Sequence, residues 1–200
     1  MEQINIVTKL IACYKKLPSV GNKTAERLAY ATLGFSKEDL DEFIQALNLV
    51  QTQVHKCPRC GMYIDTPFCP ICDSKTRDNS KLMVLSSTKA VLAFEKTNQF
   101  NGKYFVLGGS ISPIKGIKAE DIRIPELVDL VKKEHIEELI VALDSNLEGE
   151  ITAHYIFKAL AGCCKITKLA YGLPVGADLE YVDQQTIELS LKDRKEMKGD

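Results

Sequence analysis

Cys57-Pro58-Arg59-Cys60 is followed, eight residues on, by Cys69-Pro70-Ile71-Cys72. Each pair can close a tight turn that aims two thiolates at one point. Two such turns complete a tetrahedral shell of four sulfurs that suits Zn²⁺. The shell leaves no position for water, so the metal expected here, one Zn²⁺ per chain, is a structural staple and not a catalyst. Pro directly after the first cysteine of each pair, and Gly61 after Cys60, favour turns and would break a helix. The competing redox chemistry needs one Cys-x-x-Cys opening a helix, not two flanking a short loop.

The 200 residues, 45% of them apolar, are enough for one good core and a smaller module. No stretch approaches the ~20 apolar residues of a membrane span, and the N-terminus lacks the basic-then-apolar layout of a signal peptide. Thiols that hold metal point to a reducing cytoplasm, with no membrane partner. The other cysteines read as structural. Cys13 falls on an apolar helix stripe, and Cys163 and Cys164 are adjacent, so they cannot easily pair or share a metal.

A net charge of −1 says nothing about nucleic acid, but its distribution does. Residues 1–30 carry Lys9, Lys15, Lys16, Lys23 and Arg27 against Glu2 and Glu26, a balance of +3. Residues 120–150 carry ten acids against Arg123, Lys132 and Lys133, a balance of −7. The asymmetry fits two different partners, or simply solvated helix faces.

Three zones follow one another. The first is helical: Val7, Leu10, Ile11 and Tyr14 recur at helical spacing until Leu17-Pro18 stops them. A second helix is predicted over 22–33. A third follows Ser36, a cap with Asp39 three residues on, and should bury Leu40, Phe43, Ile44, Leu47 and Val50. After the cysteine module, residues 74–81 read as a polar linker. Beyond it, apolar runs at 82–85, 104–107, 139–143 and 166–170 alternate with amphipathic helices near 88–97, 125–134 and 149–161. That alternation predicts an α/β domain, a parallel sheet covered by helices, behind a helical N-terminus.

Leu17-Pro-Ser-Val-Gly-Asn-Lys-Thr-Ala25 joins the first two helices and has the look of a helix–hairpin–helix. Its turn exposes backbone N–H groups at the start of the second helix, where the dipole favours an anion such as phosphate. Lys23 and Arg27, one turn apart, could grip one nucleic-acid backbone. Ser19 stands where the motif usually has Gly, which predicts a hairpin tighter or less open to phosphate. Packing or dimerisation is a compatible use of the same hairpin.

Asp144-Ser-Asn-Leu-Glu148-Gly-Glu150 follows an apolar strand and precedes a helix, in the crevice where α/β sheets place their sites. It resembles the Asp-x-Asp…Glu-Gly-Glu signature of Toprim domains. Enzymes with that domain also carry a Glu at the end of the first strand, as general acid/base or Mg²⁺ ligand. Here Leu82–Leu85 ends in Ser86, Ala90 stands where an Asp is common, and Asn146 replaces the second acid of the pair. The fold is expected to survive these changes and the chemistry to be lost.

The order of parts resembles the RecR family of bacterial recombination mediators. The likeness spans nearly the whole chain: Leu17–Ala25, the cysteine quartet, Tyr104–Pro113, Glu148–Ala153 and Gly172–Tyr181. It implies a helix–hairpin–helix domain over 1–54, a four-cysteine zinc finger over 55–74, a Toprim domain over 80–175, and a Walker B-like oligomerisation segment over 176–200. It also implies a non-enzymatic, cytoplasmic, nucleoid-associated role in DNA repair. RecR proteins form a homotetrameric ring, closed through the hairpin region and the C-terminal segment. They act with RecO, and in many bacteria RecF, to help load RecA onto single-stranded DNA coated by single-strand-binding protein. A ring lets several weak basic patches face one hole. Asp144, Glu148 and Glu150, expected to cluster with little positive charge nearby, would repel DNA and suit a basic partner such as RecO. A Toprim-type Mg²⁺-dependent nuclease is the alternative.

Overall fold

The computed structural model describes residues 5–196; Glu2 of the charge balance and residues 197–200 of the expected C-terminal segment lie outside the described residues. Two compact units meet after Val54.

The first unit is three helices, α1 (Asn5–Tyr14), α2 (Asn22–Thr32) and α3 (Lys37–Gln53). Val7 of α1 and the small Ala25 and Ala29 of α2 are buried, and Tyr14 and Thr32 share a hydroxyl hydrogen bond of 2.6 Å. In the connecting turn Ser19 takes φ +64°, the left-handed region that favours glycine. The serine therefore holds a backbone conformation that costs it about 1 kcal/mol relative to glycine. Ser36 caps α3, its Oγ accepting from the Asp39 N–H at 3.0 Å and donating to Asp39 Oδ2 at 2.7 Å. The expected burial along α3 is not found. Leu40, Phe43, Ile44, Leu47 and Val50 are 37–61% exposed, because within this unit α1 and α2 pack chiefly on each other and leave the stripe open. Cys13 is likewise exposed.

The second unit opens with a small antiparallel pair, β1 (His55–Lys56) and β2 (Tyr63–Ile64), around the first cysteine pair. It continues as β3 (Asp78–Leu85), α4 (Thr88–Glu95), β4 (Gly102–Val106), α5 (Ile124–Lys133), β5 (Glu138–Val141), α6 (Leu147–Leu160), β6 (Lys165–Lys168) and α7 (Gln184–Lys192). The four long-range strands form a parallel sheet in the order β4-β3-β5-β6. The expected linker over 74–81 runs into a strand: Asp78 and Lys81 already pair with Gly102 and Glu138, so only the residues before Asp78 connect. The polar side chains there hid a ladder made by backbone groups.

Period-two alternation sends the sheet's residues to two cores. Leu82, Val84, Phe105 and Leu107 pack under α5 and α6 with Ile124, Leu127, Ile156 and Leu160. Their neighbours Met83, Leu85, Tyr104 and Val106 face the other way, onto Val91 of α4 and onto Cys57, Cys60, Met62, Ile64, Cys69 and Ile71. The cysteine module thus does for one face of the sheet what a helix does for the other. Among the described residues no helix is long and apolar enough to cross a membrane.

Candidate functional site

The two cysteine pairs converge. Sγ atoms of Cys57, Cys60, Cys69 and Cys72 all lie within 4.8 Å of one another, three of the residues buried and the fourth half-buried. Cys57–Cys72 and Cys60–Cys69 separations are 3.9 and 3.6 Å. A tetrahedron with Zn–S bonds of about 2.3 Å has an edge of about 3.8 Å. The donor set therefore fits a tetrahedral ion.

Each pair is a knuckle built by its backbone. In the first, Gly61 N–H donates to Cys57 O at 2.9 Å and Cys57 N–H to Met62 O at 2.7 Å. In the second, Asp73 N–H donates to Cys69 O at 2.9 Å, and the Asp73 carboxylate accepts from Cys69 N–H at 2.7 Å. The Cys72 N–H points at Cys69 Sγ, 3.4 Å away. A hydrogen bond from Cys72 draws the Cys60 thiol below the ordinary range, and the same bond pushes Cys72 up. Cys69 is raised chiefly by burial. Four thiols this close cannot all ionise unless a dication offsets them, which is the service a metal supplies.

Gly61 has φ +76°, and a Cβ there would collide with Arg123 Nη1 and the Val106 carbonyl. Gly61→Ala is therefore expected to destabilise the chain by roughly 2 kcal/mol or more in chemical denaturation. A loss under half that would mean the module yields more easily than its contacts indicate.

The sheet crevice is the second constellation. Ser86, just past β3, places Oγ 3.4 Å from Oδ2 of Asp144, just past β5. Asn146 caps α6, accepting from the Gly149 N–H at 2.8 Å, and Glu148 and Glu150 fill the first turn, where the helix dipole favours acids. A Cβ on Gly149 would overlap the Asp144 carbonyl, so glycine is what lets α6 start against the strand end. Thr152, fully buried, ties the preceding loop to this helix: its Oγ1 accepts from Ile111 N–H at 2.9 Å and donates to Glu148 O at 2.6 Å.

The expected cluster of three uncompensated acids is corrected here. Lys168 Nζ lies 2.6 and 2.7 Å from the two oxygens of Glu150, and the Tyr171 hydroxyl also donates to that carboxylate. These hydrogen bonds, Lys168 first, hold the Glu150 carboxyl below its ordinary range. Lys168 followed Ile166 in an apolar run, and nothing in the sequence said that its side chain reaches α6. Among the described residues only the four cysteines gather closely enough to share one ion. Glu148 accepts from Ser112 Oγ at 3.4 Å.

The sequence reading also missed α7, although Asp183 caps it by accepting from Thr186 N–H at 2.9 Å. It borders a crevice of about 430 Å³ with Ser145, Asn146, Leu147, Glu150 and Tyr171. Lys23 and Arg27 sit one turn apart on α2, both exposed. Gly21 precedes them with no side-chain cap, leaving the helix start open.

Family models match three stretches of the chain: a RecR helix-hairpin-helix model over residues 7–50, a Toprim domain model over 80–170 and a RecR C-terminal model over 172–195. The chain is 45% identical over 192 residues to the Recombination protein RecR of Staphylococcus haemolyticus, an alignment covering 96% of this chain and 97% of that protein. It is 44% identical over the same length and coverage to the Recombination protein RecR of Staphylococcus aureus.

Proposed function

The chain belongs to the RecR family of recombination proteins, and from that premise we propose that it is a ring-forming mediator of DNA repair rather than an enzyme. In this reading it acts with RecO, and with RecF where present, to help load RecA onto single-stranded DNA coated by single-strand-binding protein. The observation that carries it is the similarity to recombination proteins over 96% of the chain. The structural part is a homotetramer with one Zn²⁺ per chain. Its support is the exposed stripe of α3 together with exposed Leu173, Val175, Leu179, Tyr181 and Leu191 in the C-terminal segment, two apolar surfaces of the sort a second copy would cover. Light scattering with and without a short DNA and RecO tests the assembly; a monomer under both conditions would overturn it.

The non-enzymatic part rests on Ser86. The Toprim nuclease alternative needs a carboxylate where that hydroxyl faces Asp144. No nicking, relaxation or primer synthesis is expected with Mg²⁺ or Mn²⁺. Metal-dependent cleavage that disappears in Glu150→Ala would restore the enzyme.

For the partner, Asp144, Glu148 and Glu150 form the surface on which a basic face of RecO docks. Because Lys168 already offsets Glu150, Glu148 carries more of the attraction. Charge reversal of Glu148 and Glu150 to Lys is expected to abolish RecO binding while tetramer and metal persist, and the wild-type affinity should fall with added salt. Undiminished binding in calorimetry would move the partner elsewhere.

A further inference from the structure

Among the described residues, the Arg59–Glu134 ion pair reaches the end of α5 through a side chain, whereas the ties from the cysteine knuckles to β4 and Arg123 run through knuckle backbone, and two cations make most of them. Val106, the last residue of the edge strand β4, donates its N–H to the Cys60 carbonyl at 2.7 Å. Arg123, which opens α5, donates from Nη2 to the carbonyls of Pro58 and Arg59 at 2.9 and 3.0 Å, both inside the first knuckle. The other arm, Nη1, lies 3.4 Å from Val106 O, and the guanidinium stacks 4.6 Å from the Phe105 ring centroid. Lys103, also on β4, donates from Nζ to the Cys72 carbonyl at 3.0 Å, in the second knuckle. One cation therefore grips each knuckle.

Lys103 is the more telling of the two. It is only 8% exposed, and among the described residues no carboxylate lies within ion-pair distance of it. A buried ammonium facing one neutral carbonyl is poorly compensated. Four thiolates around a dication would carry a net double negative charge shared by both knuckles, and Cys72, whose carbonyl Lys103 holds, would supply one of the four. The same electrostatics reaches Arg123, whose nearest acid, Glu126, is 3.9 Å from Nε.

We propose that Lys103 and Arg123 are positioning residues for the metal, each fixing one knuckle's backbone against the sheet edge and offsetting the charge of the bound tetrathiolate. This rests on the four cysteines binding a metal, as proposed above. It makes the metal's retention and the closure of the β4 edge parts of one equilibrium: release of the ion loosens the knuckles, and loss of either cation loosens the ion.

The test is competition for Zn²⁺ by a chromophoric chelator on the full-length chain, with the Co²⁺-substituted protein followed through its thiolate charge-transfer absorption. Lys103→Met is expected to lower Zn²⁺ affinity about 10- to 100-fold, the range typical of residues behind a metal's ligands. Lys103→Arg, which keeps the charge and a donor, should recover most of the loss. Arg123→Lys keeps the charge but gives up the two-carbonyl grip, so it should cost about tenfold and speed hydrogen exchange at the Val106 amide. If Lys103→Met does not fold, Arg123→Lys decides the matter by the same two readouts. Wild-type chain that takes up no Zn²⁺ or Co²⁺ would overturn the metal reading itself. Wild-type binding with unchanged affinity in the foldable variants, or a loss in Lys103→Met that Lys103→Arg does not rescue, would leave the metal standing and overturn the positioning role.

Discussion

Cys57→Ser is expected to abolish stoichiometric zinc, measured by elemental analysis, and to cost the chain more than about 3 kcal/mol of stability. Exhaustive chelation of the wild-type protein should do the same. The effect is large because the cysteines are not an appendage. Cys57, Cys60, Cys69, Met62, Ile64 and Ile71 form one continuous core with Met83, Leu85, Tyr104 and Val106 of the sheet. Without an ion, the cross-link expected to hold the two short knuckles together is gone, and the apolar residues that β3 and the edge strand β4 turn toward the module lose most of their cover. Cys163→Ser, at an exposed thiol outside the quartet, is the matched control and should change neither metal content nor melting. A chelated chain that melts like the untreated one would show that packing alone holds the module.

Replacing both Lys23 and Arg27 with Ala is expected to weaken DNA binding without sequence bias and to flatten its dependence on salt. Each phosphate that the protein ceases to neutralise takes about 0.7 to 0.9 from the slope of log affinity against log salt. If each of four subunits neutralises one phosphate through this pair, the slope should fall by about 3, a change of orders of magnitude in affinity across ordinary salt concentrations. Both side chains are exposed, and the buried residues of α2 are Ala25 and Ala29, so the helix itself should be untouched. An unchanged slope in a variant that still assembles would return the hairpin to a packing role and place the DNA on another surface.

What could be read from the sequence was whatever depends on neighbours in the chain. The cysteine quartet, the Ser36 cap and the alternation of strand and helix are local patterns, and the parallel Toprim sheet and helical N-terminus they imply are present. The readings that failed concern what a residue meets across the fold. Polar residues 78–81 looked like a linker because strand pairing is made by backbone groups that leave no mark on side-chain character. The apolar stripe of α3 looked like core because periodicity reports that a face is apolar, not which molecule covers it. Glu150 looked unpaired because its partners, Lys168 and Tyr171, are eighteen and twenty-one residues away. Lys103 went unremarked and Arg123 counted only in a charge balance, since a lone cation in a strand and another before a helix carry no spacing that points to a metal.

The cysteine module that roofs one side of the sheet also sets an order of events. Its ligands span residues 57 to 72, a loop short enough to close at little entropic cost, whereas β3 must wait for β5 about sixty residues later. Chains are made from the N-terminus, and segments fold as they emerge. With zinc bound as proposed, the roof would be finished and locked while the strands it will cover are still being synthesised, so newly made sheet residues would meet a prepared apolar surface instead of one another's exposed edges. Growth under zinc starvation would then show itself first as newly synthesised chain lost to aggregation, before any fault appears in molecules already folded.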